Sequence, residues 1–172
     1  MLHIRPARPD EMPIIAEVER QVWARAAASQ EELARRQAFL PQAFLVAEES
    51  GVILGMVNAI RWSERRQGDI AQVHADPRGV HAYHDPWGEV LYIVSVGVLP
   101  RYRGRGIGRR LIEREIEIAR RMGVEKVQLI GHARSQPLYE RIGFKAVREL
   151  RDFMPEHGEM FSDAVLMEYT LP

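Results

Sequence analysis

Leu91-Tyr92-Ile93-Val94-Ser95-Val96-Gly97-Val98-Leu99-Pro100-Arg101-Tyr102-Arg103-Gly104-Arg105-Gly106-Ile107-Gly108 decides the fold class. Leu91 to Leu99 is a nearly continuous apolar run. Such a run reads as a strand buried on both faces, hence a central one. Gly97 inside it predicts a bulge or a close backbone approach. Pro100 ends the strand, and a glycine-rich turn leads into a helix predicted over 106–122. There Ile107, Leu111, Ile118 and Met122 share one stripe, and Gly123 is the C-cap. A turn from a buried strand into a helix N-terminus presents unpaired amides and the positive end of the helix dipole. That is an anion site. Glycines let a phosphate reach the backbone where a Cβ would block it. Arg103, Arg105 and Arg109 add charge at the rim. The spacing is neither G-x-x-x-x-G-K nor the dinucleotide G-x-G-x-x-G, because position 109 is Arg.

Working outward, a strand is expected over 2–5. Asp10 opens a helix with Met12, Ile15, Val18, Val22 and Trp23 at helical spacing. Ser29-Gln30-Glu31-Glu32 is a capping box for a second helix, to about Leu40. Strands follow over 43–49 and 52–61, joined at Ser50-Gly51. Beyond the central segment come a strand over 124–130, a short helix over 135–141 with Pro137 in its first turn, and strands over 144–150 and 165–171. This order is a mixed α/β (α+β) sheet of about seven strands with helices on both faces. It is not a regular βαβ alternation.

The 172 residues suit one domain over 1–172, and 46% apolar with 28% charged residues is an ordinary globular composition. Lys+Arg and Asp+Glu are both 24, so a nucleic-acid partner is not expected. The arginines cluster between Arg101 and Arg121, which suits a small anionic ligand. Cysteine is absent, so no disulfide or thiolate chemistry is available. No signal-peptide pattern or apolar run of membrane length is present, so the expected location is cytoplasmic, away from any membrane. His74, Asp76, His81, His84 and Asp85 lie in a long polar stretch, 62–89, but their spacing is irregular, and no metal is expected. Such a stretch is expected to close over a site or meet a second subunit.

Val98 to Gly108 resembles motif A of the GNAT superfamily of N-acetyltransferases. Its pattern is Gln/Arg-x-x-Gly-x-Gly/Ala, and Arg103, Gly106 and Gly108 occupy the fixed positions. Ala133 to Phe144, ending Leu138-Tyr139-Glu140-Arg141-Ile142-Gly143-Phe144, resembles motif B. The resemblance implies acetyl-CoA as cosubstrate, lying where the strands around 91–98 and 124–130 splay apart. Val96, Gly97 and Val98 would pair with the pantetheine arm. Arg103, Gly104, Arg105, Gly106, Ile107, Gly108 and Arg109 would hold the pyrophosphate. Tyr139 matches the tyrosine that protonates the leaving thiolate. His132 and Ser135 stand where motif B often has Asn and Ala, and both can hydrogen-bond the cofactor. Tyr92 stands where many members carry a catalytic Glu, which leaves Glu89 as the candidate base, with Ser95 also nearby. The Met154–Phe161 stretch falls where family members line the acceptor pocket or a dimer interface. The implied reaction is direct attack by a primary amine of a small molecule or peptide on the thioester. Alternatives are transfer to a protein α-amine or lysine, and a non-catalytic acyl-CoA-binding sensor or scaffold. A homodimer is common in the family.

Overall fold

The computed structural model describes residues 1–172. Its elements run β1 (His3–Pro6), α1 (Met12–Trp23), α2 (Gln30–Phe39), β2 (Phe44–Glu49), β3 (Val52–Trp62), α3 (Glu64–Gln67), α4 (Ile70–Val73), β4 (Val90–Val98), α5 (Ile107–Met122), β5 (Lys126–His132), α6 (Gln136–Ile142), β6 (Lys145–Glu149) and β7 (Ala164–Thr170). The seven strands form one sheet in the order β1-β2-β3-β4-β5-β7-β6. Every pairing is antiparallel except β4–β5. The apolar run thus lies fourth of seven, as a strand buried on both faces must.

Local chemistry explains the elements. The Ser29 hydroxyl accepts the Glu32 amide at 3.1 Å and caps α2. Ser50 and Gly51 both take positive φ, the geometry of a two-residue hairpin turn whose twist matches its strands. α5 carries its apolar stripe onto the sheet and ends at Gly123 in the left-handed region. One core cluster joins α5 and α6 to the sheet, and a second joins α1 and α2 to the opposite face. A third lies under the 62–89 and 150–166 segments. No helix is long and apolar enough to cross a membrane.

Three expectations shift. The 62–89 stretch is not a bare loop, because α3 and α4 are single turns capped by Ser63 and Asp69. Four residues are too few to show a helical period. β5 starts and ends two residues later than read, and this carries His132 to the strand's end. The bulge in β4 is at Val94, not Gly97. Asn58 faces Ser95 and Ala59 faces Ile93, so Val94 has no partner on β3. Gly97 instead marks a close approach, since a Cβ there would meet the Val22 side chain of α1 at 2.9 Å.

Candidate functional site

The parallel ladder between β4 and β5 begins at Val90–Lys126 and stops at Ile93–Leu129. β5 continues to pair with β7 through His132, whereas β4 stays with β3 through Val98. The sheet therefore opens between 94–98 and 130–132. The opening is the root of a cleft of about 750 Å³ that reaches both faces of the sheet. The Val94 bulge sits at the fork. It also changes which way the strand faces, because an extra residue breaks the two-residue alternation. Leu91 and Ile93 pack with α5, and so do Val96 and Val98. Ser95 and Gly97 both meet α1.

At one end the cleft is lined by Arg103, Gly104, Gly106, Gly108 and Arg109. Gly104 and Gly106 have φ of +80° and +75°, which turns the chain so that its amides face outward. The first helical bond of α5 is from the Arg110 amide to the Gly106 carbonyl, and no amide from Gly104 to Arg109 has an intramolecular partner. Six consecutive free donors at the N-terminus of a 16-residue helix form a basin for negative charge. Arg103 bonds the Val98 carbonyl at 3.1 Å, which ties the turn to the strand. Arg105 reaches back to Glu49, and Ile107 is buried in the core, so these two offer only their amides.

Tyr139 of α6 reaches the cleft from the α5 face and is 8% exposed. Burial pushes its phenol above the ordinary tyrosine value, and Ser135 partly offsets this. The ring edge comes up against Gly131, where a Cβ would meet Tyr139 Cε2 at 2.7 Å. His132, Trp23 and Phe161 form an aromatic triangle, with His132 6.0 Å from Trp23 and 5.5 Å from Phe161, and those two 6.1 Å apart. Its Nδ1 is 2.8 Å from Asp163, which fixes the ring at the cleft wall.

On the α1 side the same cleft forms a chamber walled by Glu19, Trp23, Arg36, His74, Tyr92, Ser95, Phe153, Met154 and Phe161. Trp23 Nε1 donates to Ser95 Oγ at 2.9 Å, and Ser95 donates on to Glu19 at 3.1 Å. Burial pushes the Glu19 carboxyl above the usual carboxylate range. Arg36 is buried too, held by Glu32 at 2.9 Å and by Asn58 at 3.2 Å. His74 bonds the Tyr92 hydroxyl at 2.6 Å, and burial lowers its imidazole to about 3, so the ring is neutral.

Of the residues expected at the site, Tyr139, His132, Ser135, Val96, Gly97, Val98, Arg103, Gly104, Gly106, Gly108 and Arg109 all line this one cleft. Glu89 does not. It precedes the opposite end of β4 and accepts the Arg65 amide at 3.1 Å. Burial raises its carboxyl, but the amides of Arg65 and Glu89 and the Ser63 hydroxyl outweigh this and hold it below the usual range. The three histidines of 62–89 diverge, with His74 going to Tyr92, His81 to Glu32 and His84 to the Arg61 amide. Only His74, Gly79 and Val80 of that stretch wall the cleft, and Trp87 is 84% exposed. Sequence reasoning missed Glu19, Arg36 and Gly131. Glu19 had a signal, for it lies on the buried stripe of α1, four residues after Ile15 and three before Val22.

The model of the acetyltransferase (GNAT) family matches residues 13–144. YkwB, an uncharacterized N-acetyltransferase of Bacillus subtilis, is 32% identical over 129 residues, covering 73% of this chain and 56% of YkwB. The chain spans about half or less of the length of the curated relatives it matches. The loading GNATL domain of CurA from Lyngbya majuscula has the same fold, with a TM-score of 0.83 at 20% identity over 99% of this chain and 98% of that one. So does GphF, a GNAT-like decarboxylase in complex with isobutyryl-CoA, with a TM-score of 0.79 at 24% identity over 99% of this chain and 100% of that one.

Proposed function

The chain belongs to the acetyltransferase (GNAT) family, and from that premise we propose that it transfers an acetyl group from acetyl-CoA to a primary amine of a small molecule or peptide. One observation carries the reading: the fork between β4 and β5 opens beside six unpartnered amides at the start of α5. An acyl-CoA has the matching parts, an anionic pyrophosphate and an extended amide-bearing arm.

The residues have separable tasks in this reading. The amides of Gly104 to Arg109 hold the pyrophosphate, with Arg103 and Arg109 adding charge at the rim. The edge of 94–98 that faces the gap accepts the arm as an added strand. Tyr139 is placed to give its proton to the departing sulfur. A raised phenol is a weaker acid than a thiol of ordinary pKa about 8.5, so full transfer runs uphill, and Tyr139 acts first as a hydrogen-bond donor to the charge growing on sulfur, with solvent restoring any proton it gives up. The amine enters from the α1 chamber on the other face of the sheet. The cytoplasmic setting and a homodimer belong to the same reading, and size-exclusion chromatography with light scattering tests the latter.

The test is incubation with acetyl-CoA, a thiol reagent and a panel of primary amines, with thermal unfolding in the presence of CoA run alongside. Amine-dependent thiol release supports the reading. Stabilisation by CoA with no transfer to any amine would leave a binding module. Release of CO₂ from malonyl-CoA without an amine would move the assignment to decarboxylation, the activity named for GphF.

A further inference from the structure

A primary amine is mostly protonated near neutral pH, and its nitrogen must lose protons before and after it bonds to the acetyl carbon. Tyr92, at the position expected for a base, has a buried phenol that burial raises further, bonded to a neutral His74. Glu89 lies outside the cleft. The chamber nevertheless contains a directed chain of hydrogen bonds. Trp23 Nε1–H donates to Ser95 Oγ, and the Ser95 hydroxyl donates to Glu19 Oε2. Trp23 donates only, so the direction is fixed. The Ser95 hydroxyl proton points at Glu19, and Ser95, which lines the cleft, keeps one lone pair without a partner. Glu19 Oε1 is held by the Ala28 amide at 3.2 Å, so the carboxylate cannot swing away. The bulge at Val94 matters here: without it, Ser95 would face α5, away from Glu19.

We propose that Ser95 and Glu19 are the proton-accepting pair for the acceptor amine, Ser95 as the catalytic residue that meets the nitrogen and Glu19 as the positioning residue that takes the serine's proton. This rests on the acyltransferase reading. As the nitrogen–acetyl bond forms, the N–H proton passes to Ser95 Oγ and the Ser95 proton passes to Glu19. The carbon–sulfur bond breaks on the other face, where Tyr139 supplies the sulfur's proton. The ammonium loses its first proton to solvent before attack; in the transfer step itself Glu19 takes one proton through Ser95 and Tyr139 gives one, so the step balances, and solvent later resets Glu19 and Tyr139. Glu19 is 2% exposed, and burial raises its carboxyl, which makes its carboxylate a stronger proton acceptor than an exposed one. Arg36 of α2 is the cation that acts on it, while Glu32, His74, Tyr92 and His132 are ionisable groups that also line this part of the cleft.

The experiment compares wild type with Glu19→Gln, Glu19→Asp and Ser95→Ala, using acetyl-CoA and amines ranging from weak to strong bases. Glu19→Gln and Ser95→Ala are expected to lower kcat/KM by on the order of 100-fold or more, with stabilisation by CoA unchanged. In wild type, activity rises with pH along a limb common to all amines whatever their own basicity. That limb disappears in Glu19→Gln and returns, at reduced rate, in Glu19→Asp. A Glu19→Gln enzyme with the wild-type rate and limb overturns the pair and leaves the acyltransferase reading standing. A uniform loss in Glu19→Gln that keeps the limb makes the residue structural and also overturns it. A wild-type protein inert toward every amine overturns both proposals.

Discussion

Glu115 gives the sharpest test of how burial governs this chain. It lies on the stripe of α5 between Leu111 and Ile118, is 0% exposed, and neither carboxylate oxygen has a hydrogen-bond partner. Burial alone pushes its carboxyl well above the ordinary value of 4.5. The native state therefore retains a proton that the unfolded chain releases above that value. Stability falls as pH rises from there, by about 1.4 kcal/mol per unit, until the native carboxyl itself ionises. Glu115→Met keeps the length and flexibility of the side chain and removes the titration. Its advantage over wild type should widen by about 1.4 kcal/mol per pH unit above 4.5. Glu115→Gln should widen in parallel but start lower, since its amide stays buried without partners at a cost of about 1–3 kcal/mol. Urea unfolding of the three proteins in steps between pH 5 and 7.5 at fixed ionic strength measures this. A difference between Met and wild type that stays flat across that range refutes the reasoning, whatever its size.

Gly131→Ala should displace the Tyr139 ring, because the new methyl falls 2.7 Å from it. Transfer should drop at least tenfold while CoA still stabilises the protein, and an unchanged rate would mean that the ring position is irrelevant. Tyr139→Phe should lower kcat by on the order of 100-fold with little change in KM for acetyl-CoA, and a fall in affinity alone would contradict the acid role. Gly106→Ala places a side chain at φ +75°, straining the turn by about 1–2 kcal/mol and weakening CoA binding, which calorimetry reads directly. His74, lowered to about 3, binds no proton when folded under mildly acid conditions. Wild type should therefore lose up to about 1.4 kcal/mol per unit as pH falls below 6.5, and His74→Gln should flatten that slope in the unfolding curves.

The fold was legible because its signals are local. The apolar run that became β4, the stripe of α5 and the Ser29 cap each lie within a few turns of chain. The run of unpartnered amides was legible for the same reason, since amides, glycines and helix start are contiguous from Gly104 to Arg109. The α1 side of the cleft was not, because it is assembled from α1, α2, β4 and the segments after β3 and β6. Ser95 and Glu19 are 76 positions apart. A reading that assumed regular alternation along β4 would also point Ser95 the wrong way. Glu19 and Glu115 nevertheless left a trace in the sequence, each a lone acid on an apolar helical stripe. One proved to be hydrogen-bonded in a cleft and the other isolated in the core, a distinction that needs tertiary neighbours.

The unpaired residue at Val94 works as a phase shifter. Odd-numbered residues before it face α5, whereas after it the even-numbered ones do, and Ser95 and Gly97 turn to α1. Any insertion or deletion of one residue between 94 and 98 would therefore exchange Ser95 and Gly97 for their valine neighbours, while the hydropathy of the strand stayed the same. An insertion of that kind would keep every amino acid of the cleft yet present valine where Ser95 now stands. For chains of this architecture, the count of residues between the fork and the glycine turn is itself a functional character.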